Sequence, residues 1–64
     1  MNFANNLKNI IKNTKITQQE IANKLGTTQQ TISRWVQGIN EPDLTMLVRL
    51  CKILNVSADE LLDL

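Results

Sequence analysis

Residues 17–38 read TQQEIANKLGTTQQTISRWVQG, and this stretch decides the fold. Apolar residues fall at Ile21, Ala22 and Leu25 and then at Ile32, Trp35 and Val36. That spacing gives one buried face on each of two short helices, not the alternation of a strand. Thr17 with Glu20 has the pattern of a capping box, and Ile16 with Ile21 occupies the positions of a hydrophobic staple around it. Thr28 is placed to cap a second helix from Gln29. Gly26 supplies the left-handed residue of the turn between them. Ala22 offers no bulk where the second helix approaches the first, and Ile21, Leu25 and Ile32 fill the angle between the two. The stretch therefore predicts helices over about 18–25 and 29–37, a unit of about 17–37. Helix pairs of this shape occur both in nucleic-acid readers and in purely structural settings.

The same devices recur outward from this centre. Phe3, Leu7, Ile10 and Ile11 predict a first helix over about 2–13. Asp43, after Pro42, is placed to cap a fourth helix over about 44–54, and Ser57 with Glu60 and Val56 with Leu61 repeat the box and the staple for a fifth over about 58–62. Gly38 and Asn55 sit where left-handed C-terminal turns are expected. The fourth helix carries the widest apolar surface, from Leu44 and Val48 to Cys51 and Leu54, and is expected to be the most buried. Trp35 shares its stripe with Ile32 and Val36 and reads as core, as does Cys51 on the fourth helix. Leu61, Leu62 and Leu64 either close the core or offer apolar surface to a second copy. The expectation is an all-α, compact five-helix chain, one domain over 1–64.

Composition narrows the chemistry. The 64 residues contain one Cys and no His, which leaves no intrachain disulfide, no zinc-ligand set of the usual Cys/His kind and no Ser-His or Cys-His nucleophile. No glycine-rich phosphate loop follows a strand, so an enzyme is not expected, nor a metal, a cofactor or a small-molecule ligand. No apolar run approaches the roughly 18 residues needed to span a bilayer, and Met1–Ile10 carries amides and Lys8 where a signal peptide would be apolar. The expected location is the cytoplasm, with no membrane partner.

A formal charge of +1 weighs against a nucleic-acid partner until it is read by position. Residues 1–40 hold Lys8, Lys12, Lys15, Lys24 and Arg34 against Glu20 alone, a net +4, whereas residues 41–64 set Arg49 and Lys52 against five carboxylates, a net −3. The small total is a cancellation, and the positive part coincides with the helix pair.

Through TQQEIANKLGTTQQTISRWVQG, Pro42 and LCKILNVSADELL, the chain resembles the Cro/C1-type helix-turn-helix family of phage and bacterial repressors, a likeness covering nearly its whole length. Gly26-Thr27-Thr28-Gln29-Gln30 is especially similar to the phage 434 repressor branch of that family. The resemblance implies a lambda repressor-like fold and a homodimer on double-stranded DNA. It places helix 29–37 in the major groove, with Gln29 and Gln30 reading base edges and Gln18 holding a phosphate.

A Gln amide matches adenine N6 and N7 in the major groove, and the Arg34 fork matches guanine O6 and N7 or reaches a phosphate instead. The 434 pattern has Gln at the position of Arg34, so the operator does not carry over. Ser33 completes the base-reading set; Thr17, Gln18, Thr28, Gln37 and Asn40 form the backbone-contacting set. Related repressors often pair a basic residue in the first helix with an acidic one late in the third; here Ile11 and Val36 stand at those positions, which predicts an apolar contact in place of an ion pair. Two rival readings remain: a protein-interaction module such as an antitoxin or antirepressor, and an RNA binder. The second lacks the exposed aromatic pairs that stack unpaired bases.

Overall fold

Reciprocal hydrogen bonds open the second helix: Thr17 Oγ1 accepts from the Glu20 N–H at 3.0 Å, and Glu20 Oε1 accepts from the Thr17 N–H at 3.1 Å. Ser57 and Glu60 build the same box at the fifth helix. Asp43 accepts from the Met46 N–H at 2.9 Å at the fourth. In this computed structural model, which describes residues 2–63, the helices are α1 (Phe3–Thr14), α2 (Gln18–Leu25), α3 (Gln29–Gln37), α4 (Leu44–Leu54) and α5 (Ala58–Leu62).

The last four match the expected spans, while α1 runs one residue later at both ends. Lys15 closes α1 in the left-handed region at φ 61°, its N–H donating to the Ile11 carbonyl at 2.9 Å. Gly26 closes α2 at φ 73°, where the Thr27 N–H donates to the Ala22 carbonyl at 2.9 Å. A Cβ on Gly26 would meet nothing within 4 Å, so only backbone strain, not space, selects glycine there.

Packing is densest between α2 and α3; α1 lies against α3 and α5, and α4 against α2 and α5. Ile21, Ala22, Ile32, Leu7, Leu50 and Leu61 are fully enclosed where these helices meet. Trp35 and Phe3 are buried with them, as the apolar stripes predict. Ile11 and Val36 are both half-buried against this core, on two helices in contact. Leu61 thus closes the monomer's own core, Leu62 is half-buried, and Leu64 lies outside the described residues.

One expectation fails. The α4 helix is not the most buried, because α2 and α5 cover only part of its wide apolar surface: Leu50 and Leu54 point inward while Leu44 stays 76% exposed and Val48 48% exposed. Cys51 is likewise half-buried, not enclosed, and desolvation pushes its thiol pKa up, which favours the unreactive neutral form.

A long-range bond joins the chain ends. Asn6 Nδ2 donates to the Leu61 carbonyl at 3.1 Å, satisfying one of the orphan carbonyls at the end of α5. Asn6→Ala should therefore loosen α5 by about 1 kcal/mol. Amide hydrogen exchange should accelerate in α5 while α2 and α3 keep their protection. Among the described residues, no helix is long and apolar enough to cross a membrane.

Candidate nucleic-acid interface

Burial of Ile32 and Trp35 fixes the rotation of α3 about its axis, since residues recur every 3.6 positions around a helix. Gln29, Gln30, Arg34 and Gln37 consequently face solvent, with Ser33 half-buried beside them. The start of α3 is held by Thr28, whose Oγ1 accepts from the Thr31 N–H at 3.2 Å and lies 2.9 Å from the Thr31 hydroxyl.

The turn brings the heads of α2 and α3 together. Gln29 Nε2 donates to Gln18 Oε1 at 2.7 Å, a bond between residues eleven apart in sequence. This pairing orients Gln29 and leaves its carbonyl oxygen and one amide proton available, which is the acceptor-donor pair that adenine N6 and N7 require. Gln18, half-buried at the first position of α2, keeps its amide protons for an outside acceptor. The family resemblance implies a role for each Gln but does not reveal that they touch.

Farther along α3, Gln37 Nε2 donates to Ser33 Oγ at 2.8 Å. Gln29, Ser33 and Gln37 stand four apart and form one row, tied at its start to α2 and at its end within the helix. Gln30 and Arg34 form the neighbouring row and make no hydrogen bond to another described side chain. Thr17 uses its oxygen to cap α2 but retains the hydroxyl proton as a donor. Asn40 is exposed just past α3, where the Ile39 N–H closes onto the Arg34 carbonyl at 3.0 Å. Ile39 is an exposed apolar residue, at 64%, that sequence reasoning passed over; its place directly after Gly38 was the available signal. Among the described residues, no group of three His, Cys, Asp or Glu side chains is placed to hold a metal ion.

A capped helix, a tight left-handed turn and a second helix with a polar outward face define a helix-turn-helix domain. The chain belongs to the Cro/C1-type helix-turn-helix family: the family profile described as "Helix-turn-helix" matches residues 7–61. Over 60 residues it is 43% identical to the uncharacterized HTH-type transcriptional regulator YqaE of Bacillus subtilis, covering 94% of this chain and 52% of that protein. The SPbeta prophage-derived uncharacterized HTH-type transcriptional regulator YonR of the same organism is 40% identical, with 94% and 56% covered. The solution structure of the SOS-response transcriptional repressor LexA from Eubacterium rectale superposes with a TM-score of 0.85 at 32% identity, covering 92% of this chain and 63% of that one. The chain spans about half the length of the curated relatives it matches.

Proposed function

We propose that this domain is a sequence-specific double-stranded DNA-binding transcriptional regulator. It acts in the cytoplasm as a repressor by occupying a pseudo-palindromic operator as a homodimer, and performs no chemistry. The Gln18–Gln29 bond carries the reading, because it orients one amide toward a base edge while its partner is free for a phosphate. Gln30 and Arg34 reach adjoining bases, Arg34 matching guanine O6 and N7. Thr17, Thr28 and Asn40 donate to the phosphate backbone beside Gln18.

The domain's size supports the dimer. Its longest dimension is 27 Å, less than the roughly 34 Å separating successive major-groove faces, so one copy reads one half-site. The relatives' description as transcriptional regulators agrees with this reading.

The Ser33–Gln37 pair gives a sharper expectation. With Gln37 donating to its oxygen, Ser33 presents a proton and favours a base edge that accepts, such as guanine O6 or thymine O4. Gln37→Glu makes the serine proton point back at the carboxylate and leaves only lone pairs for DNA. The base preference at that one position should invert toward cytosine N4 or adenine N6, on top of a uniform loss of affinity. A selected-sequence profile checks this; an unchanged preference contradicts it.

The proposal as a whole is tested by titrating a mixed-sequence duplex at two salt concentrations. Binding must weaken as salt rises, by a slope of about −0.9 per phosphate neutralised. No binding at low salt would favour a protein-interaction module instead.

A further inference from the structure

We infer that the lysine row of α1, formed by Lys8, Lys12 and Lys15, is a second backbone-gripping surface, which holds phosphates of the same DNA duplex that α3 faces. All three side chains are exposed, and α1 contains no carboxylate. Glu20 is the only acid in residues 1–40, and its Oε1 is already engaged by the Thr17 N–H at the head of α2. Lys8 and Lys12 stand four apart on the helix, where like charges repel. The helix dipole accounts for Lys12 in the last turn and Lys15 at the C-cap, but not for Lys8 in the middle. A strand of phosphates laid along the row relieves that repulsion.

The position of the row selects its partner. Ala4, Lys8, Ile11 and Lys15 follow one another at helical spacing and so form one stripe along α1. At its start, a Cβ placed on Gly38, just past α3, would lie 3.6 Å from the Ala4 Cβ. At its end, the chain runs from Lys15 through Ile16 directly into Thr17 and Gln18 at the head of α2. The stripe therefore connects the end of α3 with the backbone-contacting residues of α2. Asn6 marks the opposite flank, about 200° round the helix from Ala4 at 3.6 residues per turn. There its bond to Leu61 ties α1 to α5, which carries Asp59, Glu60 and, at its C-cap, Asp63. The lysines thus lie on the α3 side and away from the acidic end of the chain. From Lys8 to Lys15 the row covers about 10 Å at 1.5 Å per residue, a length over which one DNA strand presents about three phosphates. Such contacts carry no base information, so the row adds affinity and register, not sequence preference.

This deepens the proposed function and rests on its DNA reading, so the test separates the two. Binding of the full chain to its selected operator and to a random duplex is titrated over a range of salt. Lys8→Gln, Lys12→Gln and Lys15→Gln together should make the slope of log affinity against log salt shallower by about 2–3 on both duplexes, at about 0.9 per phosphate contact. Each single substitution should account for about 0.9 of that change, and the selected sequence should stay the same. Gln forms helix about as well as Lys, so the circular-dichroism spectrum is retained. Arg49→Gln with Lys52→Gln, which removes two exposed charges from α4, should leave the slope nearly unchanged. Ethylation interference should locate the row, as two or three phosphates that matter for the wild type cease to matter for the triple variant. A triple variant with the wild-type slope, or an α4 pair that flattens it as much per charge, overturns the inference and leaves base reading by α3 standing. A wild-type chain that binds neither duplex at low salt overturns the DNA reading and this inference with it.

Discussion

Ile32→Ala is expected to lower stability by about 2–5 kcal/mol, the cost of removing a fully buried branched side chain and leaving its cavity. Ile32 is 0% exposed in the core that α2 and α3 share, in one cluster with Ile21 and Leu25. A chain of 64 residues supplies only about 3–5 kcal/mol from such a core, so the variant sits near its own unfolding midpoint at room temperature. Thermal melting followed by circular dichroism should show Tm falling by tens of degrees, at about 4–8 °C per kcal/mol. The same truncation at Leu44, which is exposed, should leave Tm nearly unchanged. A shift of only a few degrees for Ile32→Ala would mean that α2 and α3 do not share one core.

Gln29→Ala is expected to weaken binding to the selected operator by about 1–3 kcal/mol, roughly five- to 150-fold, while leaving random duplex almost unaffected. The loss has two parts. The base contact disappears, and Gln18 loses the partner that holds it at 2.7 Å, so its phosphate contact becomes less ordered. Gln18→Ala alone should weaken specific and random DNA similarly. Combined, the two substitutions should cost less than the sum of their single effects, because each already breaks the shared bond. Equal losses on operator and random sequence for both variants would contradict the division between base reading and backbone positioning.

The caps were legible because they are local. Thr17 with Glu20 and Ser57 with Glu60 each lie three residues apart, so the chain itself brings donor to acceptor whatever packs above. The outward face of α3 was legible for a similar reason, since Ile32 and Trp35 are large and apolar and turn the remaining side chains toward water. Burial of α4 was not. Its apolar residues encircle much of the helix, and which of them meet neighbours depends on where α2 and α5 fall, a tertiary fact that periodicity does not contain.

The Asn6–Leu61 bond spans 55 positions and follows from the same arrangement of chain ends. Lys15 and Asp63 adopt left-handed backbone without the glycine or asparagine that signals it. At the candidate interface, residue types and helix register were readable, but the pairings of Gln18 with Gln29 and Ser33 with Gln37 depend on side-chain rotamers. Those pairings are what divide the face into an internally tied row and a free one.

If the outward face of α3 reads base edges in the major groove, with one copy on each half-site, the sequences it retains must carry that pattern. Selecting bound sequences from a random duplex pool with the full chain tests it most directly. The expected result is an enriched pseudo-palindrome whose half-sites lie about 10–10.5 base pairs apart or a multiple of that, each containing adenine opposite Gln29. Recovery of a pool as diverse as the one supplied would contradict it.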